Sequence, residues 1–309
     1  MRAVVVPEFG ATPELRDVEE PEPREGEEVV EVAAAGLNPV DLARAQGTFH
    51  GGSPDPPYVA GSEGIARLGD GRLAYFNSSR GSMAERAAVN SDELVELPEG
   101  LDPALAVCFG VAGLAGWLSL EYRARLAEGE TALILGATGP VGTIAVQAAR
   151  LLGAARVVGA ARDAERLRRV EELGADATVV LGSADDAAAL AEACGGEGPD
   201  VVVDPLWGEP GVAALEAAAP HARIAQIGQS AGAEASVASA TVRGKGLSIL
   251  GLTNFQVDRE TRVAAYRRMA EHAAAGELSC DVEAVGLDDI AGAWERQASG
   301  PHVKLAIVP

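Results

Sequence analysis

Three cysteines, Cys108, Cys194 and Cys280, are all that this chain of 309 residues carries, and they are scattered, odd in number and without C-x-x-C spacing. No disulfide framework or zinc knuckle is visible in that pattern, and a reduced cytosol is the expected setting. Positive charge is also scarce. Against 46 Asp and Glu stand 25 Lys and Arg, for a formal charge of -21, and Lys245 and Lys304 are the only lysines. Nucleic acid and anionic membrane would each have to be approached against repulsion, so neither is an expected partner. Long apolar runs are missing too. The N-terminus, MRAVVVPEFG, lacks the apolar core of a signal peptide and reads as a first strand. The longest apolar stretch, Ala104 to Leu120, is rich in Ala and Gly and falls short of the roughly 20 residues that a bilayer span needs. It reads as a buried helix, capped by Asp102 with Pro103 at its first position. Repeats are absent, and alanine richness is the only compositional bias.

What remains is an ordinary globular composition, 48% apolar and 23% charged, long enough for two domains with real cores. The middle third alternates strand and helix with short links. Helix Ala164 to Leu173 closes on Gly174, strand Thr178 to Leu181 follows, and then come Ala187 to Cys194, Val201 to Val203, Gly211 to Ala219, Arg223 to Ile227 and Leu247 to Leu252. Such alternation predicts a parallel, doubly wound sheet with its ligand at the carboxyl ends of the strands, near Gly136, Ala161, Asp204 and Gly228.

Within it, Thr131 to Arg162 reads as strand, glycine-punctuated turn, amphipathic helix and second strand. The turn is Ala137-Thr138-Gly139-Pro140-Val141-Gly142, an A-x-G-x-x-G variant of the dinucleotide fingerprint, with Gly136 just before it. A pyrophosphate sits on the free N–H groups of a helix N-terminus only where the preceding turn carries no bulky side chain. Gly139 is expected to let the backbone approach the phosphates, and Gly142 to let the helix lie near the strand. Val141, Ile144, Ala145, Ala148, Leu151 and Leu152 keep a helical period and cover the sheet. At the end of the second strand an NAD-selective site would place an acid on the ribose hydroxyls. This chain has Ala161 and then Arg162, whose guanidinium suits a 2′-phosphate, so NADP is the expected cofactor. The alternative is that Arg162 is a solvated loop charge and Asp163 a plain N-cap.

The first hundred residues differ. Short β-type runs, Val4 to Val6, Val29 to Ala33, Leu73 to Phe76, Glu85 to Val89 and Leu94 to Glu96, are separated by Pro- and Gly-rich turns. They predict an irregular β domain, to which a helix from about Arg259 to Ala275 and a closing strand Leu305 to Val308 return.

The runs Ala35-Gly36-Leu37-Asn38-Pro39-Val40-Asp41, Tyr58-Val59-Ala60-Gly61-Ser62-Glu63-Gly64 and Gly81-Ser82-Met83-Ala84-Glu85, together with the A-x-G-x-x-G turn, resemble the medium-chain dehydrogenase/reductase superfamily. The zinc-free quinone oxidoreductase (zeta-crystallin-like) branch is the nearest match, and the motifs arrive in the family's order over nearly the whole chain. The resemblance implies an α/β protein, a GroES-like irregular β-barrel catalytic domain (1–116 and 256–309) with an inserted Rossmann NADP-binding domain (117–255). It implies an active site in the cleft between them. By resemblance Asn38 offers that cleft an amide hydrogen bond and Asp41 fixes the loop, although both residue types also start turns. Tyr75 and Phe76 either stack in the acceptor pocket or belong to the core. Leu206 and Trp207, Gly228 to Ser230 with Gln229, and Asn254-Phe255 are the further cofactor loops. The edge strand Leu247 to Leu252 is where a homodimer would pair.

Zinc-dependent relatives place metal ligands where this chain has Asn38, Ser62 and a residue near Val111, none of them a ligand of the expected kind, so no metal is expected. Cys108 lies near the last position and reads as a small buried apolar residue. Without a Lewis acid, a conjugated acceptor is favoured, because a quinone or α,β-unsaturated carbonyl spreads the charge that hydride transfer creates. The expectation is therefore an NADPH-dependent, zinc-independent reductase of such a small molecule, acting in the cytoplasm. Its alternatives are an enoyl-thioester reductase and a non-catalytic NADPH-binding redox sensor or crystallin-like protein. Quinone reductases of this branch often carry Tyr and Arg where this chain has Ala43 and Ala45, with Arg44 and Gln46 flanking the second place.

Overall fold

The computed structural model describes every residue from Met1 to Pro309. The chain forms two units, Met1–Val111 with Tyr266–Pro309, and Ala112–Ala265. The crossings at 111/112 and 265/266 lie five and ten residues from the expected 116/117 and 255/256. One falls at the start of a helix and the other inside a helix, where no linker composition marks them.

The first unit opens with strands β1 (Arg2–Val6), β2 (Glu14–Asp17) and β3 (Glu27–Leu37), helix α1 (Pro39–Ala45), and strands β4 (Tyr58–Val59), β5 (Glu63–Arg67), β6 (Leu73–Asn77), β7 (Arg86–Asn90) and β8 (Val95–Glu96). Strands β1, β2 and β4 make a small antiparallel sheet. β3 pairs with both β5 and β7, and its register against β5 shifts between Val32 and Ala34. Such a bulge bends a strand so that it serves two neighbours. A helical path follows, through α2 (Pro103–Ala106), a 3-10 turn (Val107–Phe109) and α3 (Val111–Leu118) to a π turn (Ser119–Arg123). Asp102 caps it by accepting from the Leu105 N–H at 3.0 Å. By length and composition Pro103–Arg123 passes for a membrane span, yet 72% of its most apolar window is buried within the protein, as a core helix requires.

The second unit is the alternating region: β9 (Thr131–Leu135), α4 (Pro140–Leu151), β10 (Arg156–Ala161), α5 (Ala164–Glu172), β11 (Ala177–Val180), α6 (Asp186–Ala193), β12 (Val201–Asp204), α7 (Gly208–Ala217), β13 (Arg223–Gln226), α8 (Ser239–Lys245) and β14 (Ser248–Gly251). All six strands are parallel, in the order β11-β10-β9-β12-β13-β14. The order reverses between β9 and β12, and there the carboxyl ends leave a crevice for a ligand. Helices cover both faces, so β9, β10 and β12 read as unbroken apolar runs, and Leu133, Val158, Val202, Leu215 and Ile224 form the core.

The chain then returns through α9 (Arg259–Ala274), β15 (Val282–Gly286), α10 (Ile290–Ser299) and β16 (Lys304–Val308). β16 lies antiparallel to β3 and parallel to β15, which completes a sheet ordered β15-β16-β3-β5-β6-β8 with β7 also on β3. Trp294 of α10 and Ile307 of β16 join Val4, Val32, Leu37 and Phe76 in the core of the first unit.

Candidate functional site

The carboxyl end of β9 runs into the glycine turn, and α4 starts at Pro140 with Gly139 as its N-cap. No side chain caps this helix. The N–H groups of Val141 and Gly142, which have no intrahelical acceptor in a first turn, are therefore left for a ligand. The two glycines differ in what they permit. A Cβ on Gly142 would overlap the Gly136 carbonyl and the Ala137 backbone, whereas one on Gly139 would meet only Gly136 O, at 3.7 Å. Gly142 thus serves helix-to-strand packing, and Gly139 keeps the approach to the turn open. Ala137, where the common fingerprint has glycine, is accommodated because β10 offers Gly159 opposite, whose Cβ would stand 3.1 Å from the Ala137 methyl. Gly159 carries no mark in the sequence and is found only through this contact.

Arg162 follows β10, exposed and with no hydrogen-bond or ion-pair partner. Its neighbours Arg166, Arg168 and Arg169 are each paired, with Asp163, Glu165 and Glu172. Asp163 is the N-cap of α5, accepting from Glu165 and Arg166. Neither lysine is a solvated surface charge. Lys245 Nζ donates to the carbonyls of Glu216 and Ala218 at the carboxyl end of α7, and Lys304 is buried.

Two of the loops expected to meet the cofactor are built against this turn. Asp204 Oδ1 accepts from the N–H groups of Leu206 and Trp207 at 2.8 Å each, while its buried Oδ2 has no partner and burial raises its carboxyl above the usual range. Trp207 is held at φ 55°, a conformation that a non-glycine residue keeps only when its surroundings impose it. Ser230 and Ala231 donate to the carbonyls of Pro205 and Leu206. Gly228 allows this, since a Cβ there would stand 2.6 Å from Pro205 O. Leu206 in turn lies against Gly136, and Gln229 is in the same loop pair. Asn254 and Phe255 occupy a separate 3-10 turn beyond β14.

In the first unit a buried polar cluster gathers residues from α1, β5, β6 and β16. Lys304 Nζ donates to Asn38 Oδ1 and to Glu63 Oε1, the latter at 2.9 Å, with lysine and glutamate both almost wholly buried. Glu63 Oε2 accepts from the Val111 N–H and from Tyr75 Oη. Asn38 donates its amide to Glu63 Oε1 at 2.8 Å and to Gly36 O at 3.2 Å. Asp41, three residues on, closes a capping box on the Asn38 N–H and accepts from Ser62 Oγ, which itself accepts from Arg44. Burial pushes the Asp41 carboxyl up to about 6, against the lowering pull of the Ser62 and Asn38 hydrogen bonds and of Lys304.

These contacts bear on the readings of Asn38, Tyr75 and Phe76. Both amide hydrogens of Asn38 are used inside the unit, so it has none left for an acceptor oxygen. Tyr75 and Phe76 point to opposite faces of β6 and both are buried. Tyr75 stacks on Tyr266 with centroids 4.1 Å apart, and Phe76 lies in the core. The sheet is covered on both sides, and strand alternation therefore exposes neither ring. Glu63 and Lys304 are the organising charges, and the sequence named Lys304 only as one of two lysines and Glu63 only within a family run. Each is a lone charge beside an apolar strand run, of opposite sign, and that was their available mark. The cluster does not fit a zinc ion. Asn38, Ser62 and Val111 supply no imidazole or thiolate, no group of three His, Cys, Asp or Glu side chains converges, and an ammonium sits on the available oxygens.

A family described as zinc-binding dehydrogenase matches residues 140–271. The quinone oxidoreductase of Thermus thermophilus, solved also in complex with NADPH, is 31% identical and aligns over 100% of both chains with a TM-score of 0.88. A phenolphthiocerol/phthiocerol polyketide synthase chain of Mycobacterium tuberculosis is 30% identical over 95% of this chain, which spans 14% of that protein. Human quinone oxidoreductase is 34% identical over half of each chain. With its antiparallel GroES-like sheets and its six-stranded parallel Rossmann sheet, the chain belongs to the medium-chain dehydrogenase/reductase family. Quinone oxidoreductases are its homologues and structural neighbours, and it resembles them.

Proposed function

We propose that the chain is an NADPH-dependent, zinc-independent reductase of quinones or other α,β-unsaturated carbonyls. The observation that carries this reading is the pairing of an uncapped glycine-turn helix with Arg162, the one arginine of its patch without a partner. The residues fit the cofactor. The Val141 and Gly142 N–H groups would hold the pyrophosphate, Leu206, Gly228, Gln229, Asn254 and Phe255 would line its path, and Arg162 would take the 2′-phosphate. When bound, NADPH supplies a hydride. Around it the chain supplies position: Asp204 fixes the Leu206 loop, while Asp41 and Glu63 fix the α1 segment and Val111. A quinone needs no cationic catalyst as strong as zinc, because its ring delocalises the incoming charge. A small-molecule acceptor and a homodimer through the sheet-edge strand β14, which exposes Ile249, belong to the same reading.

The test is oxidation of NADPH, with NADH in parallel, against benzoquinone, naphthoquinone, an enal, an enoyl thioester and a simple ketone. Turnover of the conjugated acceptors but not the ketone is expected. No turnover with any of them despite measurable NADPH binding would overturn the reductase reading. A second reading, enoyl-thioester reduction, is supported by the similarity, over 95% of this chain, to a polyketide synthase. Exclusive turnover of the thioester would select it.

A further inference from the structure

Asp204 ends β12 with its carboxyl buried and only half used. Oδ1 accepts from the Leu206 and Trp207 N–H groups, while Oδ2 has no hydrogen-bond partner. A buried acid left half satisfied costs free energy and calls for a reason. What Oδ1 holds is a reversal of the chain. Trp207 and Gly208 both stand at positive φ, 55° and 58°, where the strand end turns into α7. A second loop is braced on the first. The Ser230 N–H and Oγ both donate to Pro205 O at 3.2 Å, the Ala231 N–H donates to Leu206 O at 2.9 Å, and the Ile227 N–H donates to Asp204 O at 2.9 Å. Both loops therefore depend on the turn that Asp204 fixes.

Sheet order decides which part of a dinucleotide meets these loops. β10 and β12 flank β9 on opposite sides. With the pyrophosphate on the turn after β9 and the 2′-phosphate on Arg162 after β10, the adenosine half lies toward β10. The nicotinamide half must then extend over the carboxyl ends of β12 and β13, where the braced loops stand. We propose that Asp204 is a positioning residue for the nicotinamide half of the cofactor, acting through the Leu206–Trp207 turn without touching the cofactor itself. This rests on the NADPH reading of the glycine turn and Arg162. Oδ1 fixes two backbone N–H groups, the turn they belong to fixes the Pro205 and Leu206 carbonyls, and these hold Ser230 and Ala231. Both loops are thus ordered before the nicotinamide arrives, and less conformational freedom is lost on binding. The adenosine half, on the other side of β9, gains nothing from that order.

The experiment measures, by calorimetry on the whole protein, the dissociation constants of NADPH and of adenosine 2′,5′-bisphosphate, which carries the 2′-phosphate but no nicotinamide. Asp204→Ala removes the acceptor of both N–H groups, and a roughly tenfold rise in the NADPH constant is expected, with that of the bisphosphate unchanged. Asp204→Asn keeps an oxygen on the two N–H groups and should bind NADPH within about threefold of the unsubstituted protein. Gly228→Ala sets a Cβ 2.6 Å from Pro205 O, displaces the second loop without altering Asp204, and should repeat the pattern of Asp204→Ala. Unchanged NADPH binding in Asp204→Ala would overturn the proposal. So would equal weakening of both ligands in a variant that keeps its cooperative thermal unfolding, since a merely structural acid acts on both halves alike. Should Asp204→Ala fail to fold, Gly228→Ala carries the same two refutations. Failure of the unsubstituted protein to bind either ligand would overturn the cofactor reading, and this inference with it.

Discussion

The two units treat their polar groups in opposite ways. In the second unit the proposed cofactor-binding groups are backbone N–H groups and one guanidinium left without partners at the carboxyl edge of a parallel sheet. In the first unit, charged side chains are collected in the interior and spent on one another, Lys304 on Glu63 and Asn38, and Asp41 on Ser62 and Asn38. An unsatisfied donor at a surface turn costs little in water and gains a bond when a ligand arrives, whereas an unsatisfied charge in the core costs several kcal/mol at once. Open groups therefore point to ligand binding, and the closed network to the support of a site.

The largest test of this contrast is Lys304→Met, which leaves Glu63 buried without its cation. A loss of about 3–5 kcal/mol in urea unfolding is expected, with partial recovery when Glu63→Gln is added. Next is the pH dependence carried by Asp41. Its carboxyl titrates at about 6 in the folded chain against an ordinary value of 3.8. Between those values the folded chain keeps a proton that the unfolded chain has lost, so this group's contribution falls as pH rises from about 4 to about 6. The expected change is about 3 kcal/mol. Asp41→Asn should flatten that part of the stability profile; an unchanged slope would assign it elsewhere. Third, Gly142→Ala should cost about 2 kcal/mol through its backbone overlap, while Gly139→Ala leaves the melting temperature unchanged and weakens NADPH binding. The smallest effect is that of Arg162→Ala. A roughly tenfold rise in the NADPH dissociation constant is expected, about 1.4 kcal/mol, with NADH binding and thermal stability unmoved.

Much of the second unit was legible because its determinants are local. Apolar strand runs, the period of α4 and the order of Gly139, Pro140 and Gly142 are properties of consecutive residues, and Gly228 follows from where a strand ends, while Leu206 came only from the family resemblance. The first unit was legible as irregular β structure but not in its chemistry. Nothing near Glu63 in sequence announces Lys304, which arrives on the last strand, and nothing near Tyr75 announces the Tyr266 ring that covers it. Of the two readings open for Tyr75 and Phe76, burial favours the core, and the Asn38 amide is engaged within the unit.

By itself the sequence determined the two-unit organisation, the alternation that yields a parallel sheet, the glycine turn and the absence of zinc-binding side chains at Asn38, Ser62 and Val111. Each depends on residue type at short spacing, through steric access to the backbone or ligand chemistry. Tertiary structure alone decided which charges are satisfied: Arg162 without a partner, Lys245 spent on the end of α7, and Lys304 locked to Glu63. Burial and pairing depend on which distant strands lie side by side, and β16 reaches β3 only once the chain has folded.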